Sequence, residues 1–242
     1  MAKMIAFYGS PGSGKTSISL KAAVELYCAT KDERILFLSP DLNVPSIGLL
    51  FPNYSPEEVR TISDLLDKTE IKEENLYSSI VTVKSMKDFG CLGFKSGDSS
   101  LSFPQPDKGK LNELFSALSD NAEYIFVDCS NDSRDFLSRK ALSVADIVIR
   151  TLTPDLKGMA WLSSHKSTGG RTEKENFFNI VCVTDNDLYN PTEEICTKLN
   201  SILAVMPYSK SLKQQMLDGR MYERLNDKAY NKRIKTILSA IK

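Results

Sequence analysis

Short apolar runs along the chain alternate with segments whose apolar residues are spaced as in a helix. The runs KMIAFY at 3–8, RILFLS at 34–39 and YIFVD at 124–128 are typical of buried strands. Residues 16–29 and 111–118 show helical spacing between these runs. Strands that alternate with helices predict a mostly parallel sheet covered by helices on both faces, which is a three-layer α/β/α fold.

The same alternation continues to the end of the chain. Further strands are predicted at 80–83, 146–150, 177–183 and 202–205, and further helices at 55–68, 133–142, 155–164, 192–200, 209–218 and 226–241. Residues 88–109 are rich in Gly, Ser and Pro, which predicts that this stretch contains a mobile loop. The sequence shows no internal repeat or linker, so we predict one domain that spans residues 1–242.

The first strand and the first helix enclose a motif with a specific chemistry. Residues 9–16 read GSPGSGKT and match G-x-x-x-x-G-K-[ST], the P-loop, in which backbone N–H groups and the positive end of a helix cradle phosphates. In such a loop Lys15 reaches the β- and γ-phosphates of a nucleotide, and the Thr16 hydroxyl binds Mg²⁺. The predicted fold class is therefore an α/β P-loop NTPase. Its predicted nucleotide-binding residues here are Gly9, Ser10, Pro11, Gly12, Ser13, Gly14, Lys15, Thr16 and Ser17.

Two aspartates that follow predicted strands complete the candidate site. Asp128 ends the run YIFVD, and Asp41 comes shortly after RILFLS. Ligands of open α/β sheets bind at the carboxyl ends of the strands, so both carboxylates are candidates for holding Mg²⁺ together with Thr16. An alternative for each is an ordinary turn or helix-capping aspartate. We predict that Lys15, Asp41 and Asp128 form the catalytic set.

Composition narrows the function classes. The 31 basic and 31 acidic residues balance, but residues 209–242 carry nine basic against three acidic ones, which allows DNA binding without indicating it. No apolar run approaches the roughly 18 residues that span a bilayer, and the N-terminus lacks a signal-peptide core, so we expect a cytoplasmic protein. The five cysteines include no C-x-x-C pair, which argues against zinc and iron–sulfur sites.

The last predicted helix is basic and amphipathic. Within residues 228–242, one helical face holds Tyr230, Ile234, Ile237, Leu238 and Ile241. Such a face suits either an interfacial membrane helix or a helix packed on a sheet. We predict packing on the sheet rather than membrane contact.

Five segments taken in order resemble the MinD/ParA family of P-loop ATPases, and its TadZ/CpaE type in particular. They are GSPGSGKT, SPDLNVPSIGLLF, YIFVDCSN, ADIVIRTLTPDLKGM and PYSKSLKQQMLDGR. The resemblance implies Mg-ATP bound between two facing protomers. It also implies that Asp41 is the switch I acid, that Asp128 is the Walker B acid and that Pro207 and Tyr208 lie near the base.

The chain departs from this family at one position. Members usually carry a signature lysine in K-G-G-x-G-K-T, and Ser10 occupies that position here. Losing such a charged contact costs on the order of 10²–10³ in rate, so slow hydrolysis is expected. Lys157 and Arg150 are candidate substitutes for the missing cation, and the alternative is that both are ordinary charges facing solvent.

Two further expectations concern the base of the nucleotide and the biological role of the chain. Thr184-Asp185-Asn186-Asp187 lies where related GTPases carry T-K-x-D, and Asp185 replaces the lysine of that motif. We therefore expect ATP, with Asn186 and Tyr208 as base contacts. The favoured function is a dimeric nucleotide switch that positions or partitions a partner complex, such as pilus or secretion machinery or a plasmid or conjugative element. The alternatives are an ATP-dependent synthetase or kinase that uses residues 88–109 as a substrate loop, and an ATP-binding scaffold that does not hydrolyse.

Overall fold

The structure of the chain is a computed structural model that describes residues 1–30, 32–51, 60–83, 85–99, 103, 106–132, 134–165, 176–185 and 189–241. Within these ranges the strands are β1 (Lys3–Gly9), β2 (Ile35–Ser39), β3 (Val81–Val83), β4 (Met86–Gly93), β5 (Tyr124–Asp128), β6 (Ile147–Leu152), β7 (Phe177–Cys182) and β8 (Ile202–Met206). The helices are α1 (Lys15–Ala29), α2 (Ile47–Leu50), α3 (Ile62–Leu66), α4 (Glu73–Ser79), α5 (Lys108–Asp120), α6 (Phe136–Val144), α7 (Leu156–Ser164), α8 (Thr192–Cys196), α9 (Lys210–Leu217) and α10 (Lys228–Ile241).

The strands form one sheet in the order β3-β4-β2-β5-β1-β6-β7-β8. Every neighbouring pair is parallel except β3 and β4, which are antiparallel. Consecutive side chains of a strand point to opposite faces, and both faces of β1 are apolar. A strand that is apolar on both sides is stable only when helices cover both faces of the sheet. The predicted mostly parallel sheet is therefore confirmed.

Two apolar clusters lie on the two faces of this sheet. Ile5 and Phe7 of β1 pack in one cluster with residues of α1 and α10. Met4, Ala6 and Tyr8 of the same strand pack in the other cluster with residues of α5 and α6. The sheet is thus the middle layer of three, as the sequence predicts.

Residues 88–109, predicted to contain a mobile loop, begin with a strand that the sequence analysis did not predict. Residues 88–93 belong to β4, which pairs with β2, and α5 begins at Lys108. The glycines that suggested a loop are required by close packing. A Cβ at Gly90 would lie 2.4 Å from Ile80 Cγ2, and a Cβ at Gly93 would lie 2.7 Å from the Ser39 carbonyl oxygen.

Several helices differ from their predicted bounds, as α8 does, which ends at Cys196 rather than at residue 200. The helix predicted at 55–68 is observed as α3, and residues 52–59 lie outside the described residues. The short helices α2 and α4 were not predicted, because four to seven residues are too few to establish a helical period. In the described part of the chain, no helix is long and apolar enough to cross a membrane.

The packing predicted for the last helix is confirmed. The five residues of its apolar face are buried in the cluster that contains β1 and α1; they are Tyr230, Ile234, Ile237, Leu238 and Ile241. The basic residues Lys228, Lys232, Arg233 and Lys235 are exposed. The apolar face is thus part of the core of the domain.

Candidate functional site

Four adjacent strands bring the predicted site residues together. In the sheet, β2, β5, β1 and β6 are consecutive neighbours. Because these strands are parallel, their carboxyl ends lie at one edge of the sheet. The loop of residues 10–14 follows β1, Asp128 ends β5, and Asp41 comes two residues after β2.

The loop after β1 is held against the end of β6. The Ser10 backbone N–H donates to the Thr151 carbonyl oxygen over 3.0 Å. The Ser13 hydroxyl donates to the Ser10 carbonyl oxygen over 2.6 Å and lies 2.7 Å from the Thr151 hydroxyl. A Cβ at Gly9 would lie only 2.0 Å from the Thr151 carbonyl oxygen. The glycine is therefore required where the loop leaves the strand, and Thr151 is a supporting residue that the sequence did not reveal.

Helix α1 begins directly from this loop. Gly12 and Gly14 both have a φ of 76°, a left-handed conformation that glycine adopts readily. No side chain of the described residues accepts a hydrogen bond at the N-terminus of α1. Pro11 and Gly12 are exposed at the tip, while Lys15, Thr16 and Ser17 are half-buried in the first turn of the helix. The arrangement suits an anion, because the first backbone N–H groups of a helix need acceptors.

Asp128 is buried and bonded through only one of its carboxylate oxygens. The Thr16 hydroxyl donates to Asp128 Oδ2 over 2.6 Å. Asp128 is 5% exposed, and its buried Oδ1 has no hydrogen-bond partner among the described residues. Burial raises the pKa of this carboxyl to about 6, against the opposing effects of the Lys15 charge and the Thr16 hydrogen bond. A buried carboxylate oxygen without a partner, next to a hydroxyl, fits a ligand for a cation.

Asp41 forms a turn shortly after β2. Its Oδ1 accepts hydrogen bonds from the backbone N–H groups of Asn43, over 2.9 Å, and Val44, over 3.2 Å. Its negative charge makes the smallest contribution to the raised pKa of Asp128, behind burial. The sequence offered Asp41 as a Mg²⁺ ligand or as an ordinary turn aspartate. The turn is observed, and it leaves Oδ2 without a role in these two hydrogen bonds.

The Lys15 ammonium contacts a residue that sequence reasoning missed. Lys15 Nζ donates to Asn131 Oδ1 over 2.5 Å. Asn131 follows Asp128 by three residues. In the sequence, a side-chain amide at that spacing is the only signal for a contact with Lys15.

The hydroxyl and carboxylate oxygens at this site suit Mg²⁺, which is bound partly by water and phosphate. They suit a metal ion coordinated by protein side chains alone less well. Among the described residues, no group of three or more His, Cys, Asp or Glu side chains could hold a metal ion. Mg²⁺ keeps several waters and binds through one or two carboxylates together with substrate phosphates. Thr16 and Asp128, which contact one another, could supply such ligands, and Asp41 is a further candidate.

The structure corrects one of the two suggested substitutes for the signature lysine. Arg150 is 2% exposed, its Nε donates to Asn179 Oδ1 over 2.7 Å, and its guanidinium lies 5.0 Å from the centre of the Phe177 ring. Side chains alternate along a strand, so Arg150 points away from the face on which Thr151 contacts the loop. Lys157 is exposed in the first turn of α7.

The position of the signature lysine is itself buried. Ser10 is 1% exposed, and its hydroxyl accepts from the Thr153 backbone N–H over 3.3 Å.

The predicted base contacts lie further from the loop. Pro207 and Tyr208 are half-buried and directly follow β8, which is three strands from β1 in the sheet. Asn186 lies outside the described residues.

No protein-family model and no curated protein sequence matches this chain. Solved structures do match it. A ParA family ATPase from Chlorobium tepidum TLS has a TM-score of 0.77 at 15% identity, over 98% of both chains. A protein from Borrelia burgdorferi B31 assigned to plasmid partition, bound to AMPPNP, has a TM-score of 0.75 at 18% identity, over 99% of this chain and 98% of that one.

A third structure is the septum site-determining protein MinD of Pyrococcus horikoshii OT3, in complex with Mg-ADP. Its TM-score is 0.73 at 18% identity, over 98% of this chain and 94% of that one. At such identities the likeness concerns the fold. The structural neighbours of this chain are thus ParA and MinD family ATPases, whose three-layer α/β P-loop fold it shares.

Proposed function

We propose that this chain binds Mg-ATP, hydrolyses it slowly, and acts as a dimeric nucleotide switch that positions or partitions a partner complex. The observation that carries the proposal is the contact of the Thr16 hydroxyl with Asp128, whose second carboxylate oxygen is buried and has no hydrogen-bond partner among the described residues. This contact lies at the end of the loop that would cradle phosphates. The metal ion of a bound Mg-triphosphate would supply the missing partner of the carboxylate oxygen there.

Each residue has a distinct role in this proposal. The backbone N–H groups of the loop bind phosphate oxygens, and Lys15 neutralises their charge. Thr16, Asp41 and Asp128 hold Mg²⁺, which neutralises charge that develops on the phosphates during hydrolysis. Asp41 and Asp128 each begin a segment that leaves the sheet, so both segments would respond to the third phosphate. Pro207, Tyr208 and Asn186 are proposed to contact the base.

Slow hydrolysis is proposed because the loop carries no second cation. Ser10 is neutral, buried and bonded to Thr153. Arg150 is bonded to Asn179 within the sheet. Lys157 is the one substitute suggested by the sequence that is exposed, and we propose that it acts across the dimer.

The switch is favoured over a small-molecule enzyme by the extent of β4. The substrate loop required by the enzyme hypothesis was expected at residues 88–109, and residues 88–93 are instead part of the sheet. The partner is proposed to be a protein complex. The basic residues exposed on α10 allow DNA as a further partner without requiring it.

Equilibrium binding tests the nucleotide site. Three proteins are titrated with ATP and GTP, with and without magnesium: the wild-type chain, Lys15→Ala and the control Lys68→Ala. Lys68 is an exposed lysine just after α3. We expect Mg-dependent binding that prefers ATP, a loss of roughly a hundredfold in Lys15→Ala, and no change in Lys68→Ala. Absence of binding to either nucleotide by the wild-type chain contradicts the proposal.

Oligomeric state and turnover test the switch. Light scattering is expected to show dimers with AMPPNP and monomers with ADP, and hydrolysis is expected to be slow. A chain that stays monomeric with AMPPNP, and turns over ATP only after a metabolite is added, would instead indicate an enzyme on this scaffold. Lys157→Ala measured in the same assay asks whether this lysine supplies the missing cation.

A further inference from the structure

The two side chains of the loop that would bind Mg-nucleotide are both held by one short segment. The Thr16 hydroxyl donates to Asp128, and the Lys15 ammonium donates to Asn131, three residues later. The first contact is compatible with a bound metal, because the hydroxyl and the carboxylate can share one ion. The second joins the ammonium to a neutral amide, so it draws the phosphate-binding charge towards the segment after β5.

Asn131 lies in a segment that is bonded to α6 before it and to the residues following Asp41 after it. The Ser130 backbone N–H donates to the Ser138 hydroxyl of α6 over 2.8 Å. The Asp132 backbone N–H donates to the Ser130 hydroxyl over 3.2 Å. A hydrogen bond from the Asn43 side chain, in the segment after Asp41, helps to lower the pKa of Asp132 to about 2, behind the larger effect of Arg134.

We propose that Asn131 competes with the nucleotide phosphates for the Lys15 ammonium and thereby lowers the affinity of the loop for its nucleotide. The inference rests on the proposed function, since it requires nucleotide binding at this loop. The ammonium sits at the end of one flexible stem, while the loop and Asn131 are each anchored. Turning the ammonium fully towards phosphate therefore breaks its bond to Asn131, and this loss weakens binding. Losing this bond removes one of several contacts of the 129–132 segment, which Asn43 links to the residues following Asp41.

Two substitutions of Asn131 are expected to act in opposite directions. Asn131→Ala removes the competitor and raises the affinity for Mg-ADP by roughly tenfold, the value of one hydrogen bond to a charged group. Asn131→Asp puts a negative charge beside the ammonium, which holds it more strongly and repels phosphate, and lowers the affinity by roughly tenfold or more. A purely structural role for Asn131 would lower the affinity in both variants.

The chain offers a matched control. Asn112 Oδ1 on α5 accepts from Lys140 Nζ on α6 over 2.5 Å, the same pair of groups at an exposed place away from the loop. Asn112→Ala is expected to leave the affinity unchanged. In a double-mutant cycle, Asn131→Ala is expected to lose its effect when Lys15 is already alanine, because the competition acts only through that ammonium.

The measurement is a calorimetric or fluorescence titration of the full chain with Mg-ADP, with thermal unfolding recorded for each variant. Hydrogen exchange gives a second readout: Mg-ADP is expected to change the exchange of residues 129–132 and 41–46 in the wild-type chain, and less so in Asn131→Ala. Equal or weaker binding by Asn131→Ala, beside intact wild-type binding, overturns this inference alone. Failure of the wild-type chain to bind any nucleotide overturns the proposed function as well.

Discussion

The Lys21 ammonium of α1 donates a 2.7 Å hydrogen bond to the main-chain carbonyl of Met221, 200 residues further along the chain. The same ammonium donates to Gln215 Oε1 and to the Glu223 carbonyl oxygen, each over 2.6 Å. Lys21 is 1% exposed, so its three donors are all used within the protein. The helix that begins at the phosphate loop is therefore fastened to the segment between α9 and α10.

Replacing this lysine is expected to destabilise the domain. Lys21→Met keeps the length of the side chain but leaves one buried and two part-buried acceptors without their donor, at a cost of about 2 kcal/mol in the free energy of unfolding at pH 7. Lys213→Met, an exposed lysine on α9, serves as the control and is expected to change stability by less than about 0.5 kcal/mol. Urea denaturation measures both.

The same lysine predicts a pH dependence. Burial lowers the pKa of Lys21 to about 8, from an ordinary value of 10.5, against the opposing charges of Glu223 and Glu25. Between pH 8 and 10.5 the unfolded chain binds more protons at this position than the folded chain, so the contribution of Lys21 to stability rises with pH. The difference between wild-type and Lys21→Met should therefore grow by at most about 1.4 kcal/mol per pH unit across this window. A difference that stays constant from pH 7 to pH 10 would contradict this.

Asp128→Asn is expected to stabilise the domain in the absence of magnesium while abolishing Mg-dependent nucleotide binding. Burial raises the pKa of Asp128 from 3.8 to about 6. The contribution of this carboxyl to folding is therefore most favourable below pH 3.8, where it is protonated in both states, and is lost as the pH rises through 6. Asparagine carries no such charge, and we expect a gain of about 1–2 kcal/mol at pH 7. Asp88→Asn, an exposed carboxyl on β4, should change stability by less than about 0.5 kcal/mol and leave binding unchanged. A destabilised Asp128→Asn chain would contradict the predicted cost of the buried charge.

Gly9→Ala is expected to disrupt the loop. The added methyl would lie 2.0 Å from the Thr151 carbonyl oxygen, which belongs to backbone in the middle of the sheet. A backbone shift of that kind costs about 3 kcal/mol, and nucleotide binding should be lost with it. Gly48→Ala in α2 is the control, because its nearest neighbour, Ser96 Oγ, would lie 3.8 Å away. Thermal unfolding and nucleotide titration of both variants test the contrast, and equal stability would refute it.

Ile234→Ala distinguishes packing of α10 from membrane contact. Ile234 is fully buried against the sheet, so the truncation should cost about 2–5 kcal/mol. Lys235→Ala, on the exposed face of the same helix, should cost less than about 0.5 kcal/mol. An Ile234→Ala chain that keeps its stability but loses binding to anionic vesicles would show that the apolar face serves a membrane.

Elements whose structure depends on residues close together in the sequence could be predicted from it. The phosphate loop is contiguous, and the conformation of residues 9–16 depends on glycines within it and on the helix that follows. The buried face of α10 follows from spacings of three and four residues. The strand β4 was missed because glycines that signal a loop also occur where backbone packs closely, as Gly90 does against Ile80.

The sequence by itself determined the loop, most of the strands and helices, and the residues available for the site. Only the tertiary structure decided which of them meet. The sheet places β5 beside β1, which joins Thr16 to Asp128 across 112 residues and brings Asn131 to Lys15. The alternation along β6 turns Arg150 away from the loop and Thr151 towards it. Strand order and register depend on how distant segments pack, and a periodicity read within one segment contains no information about its neighbours.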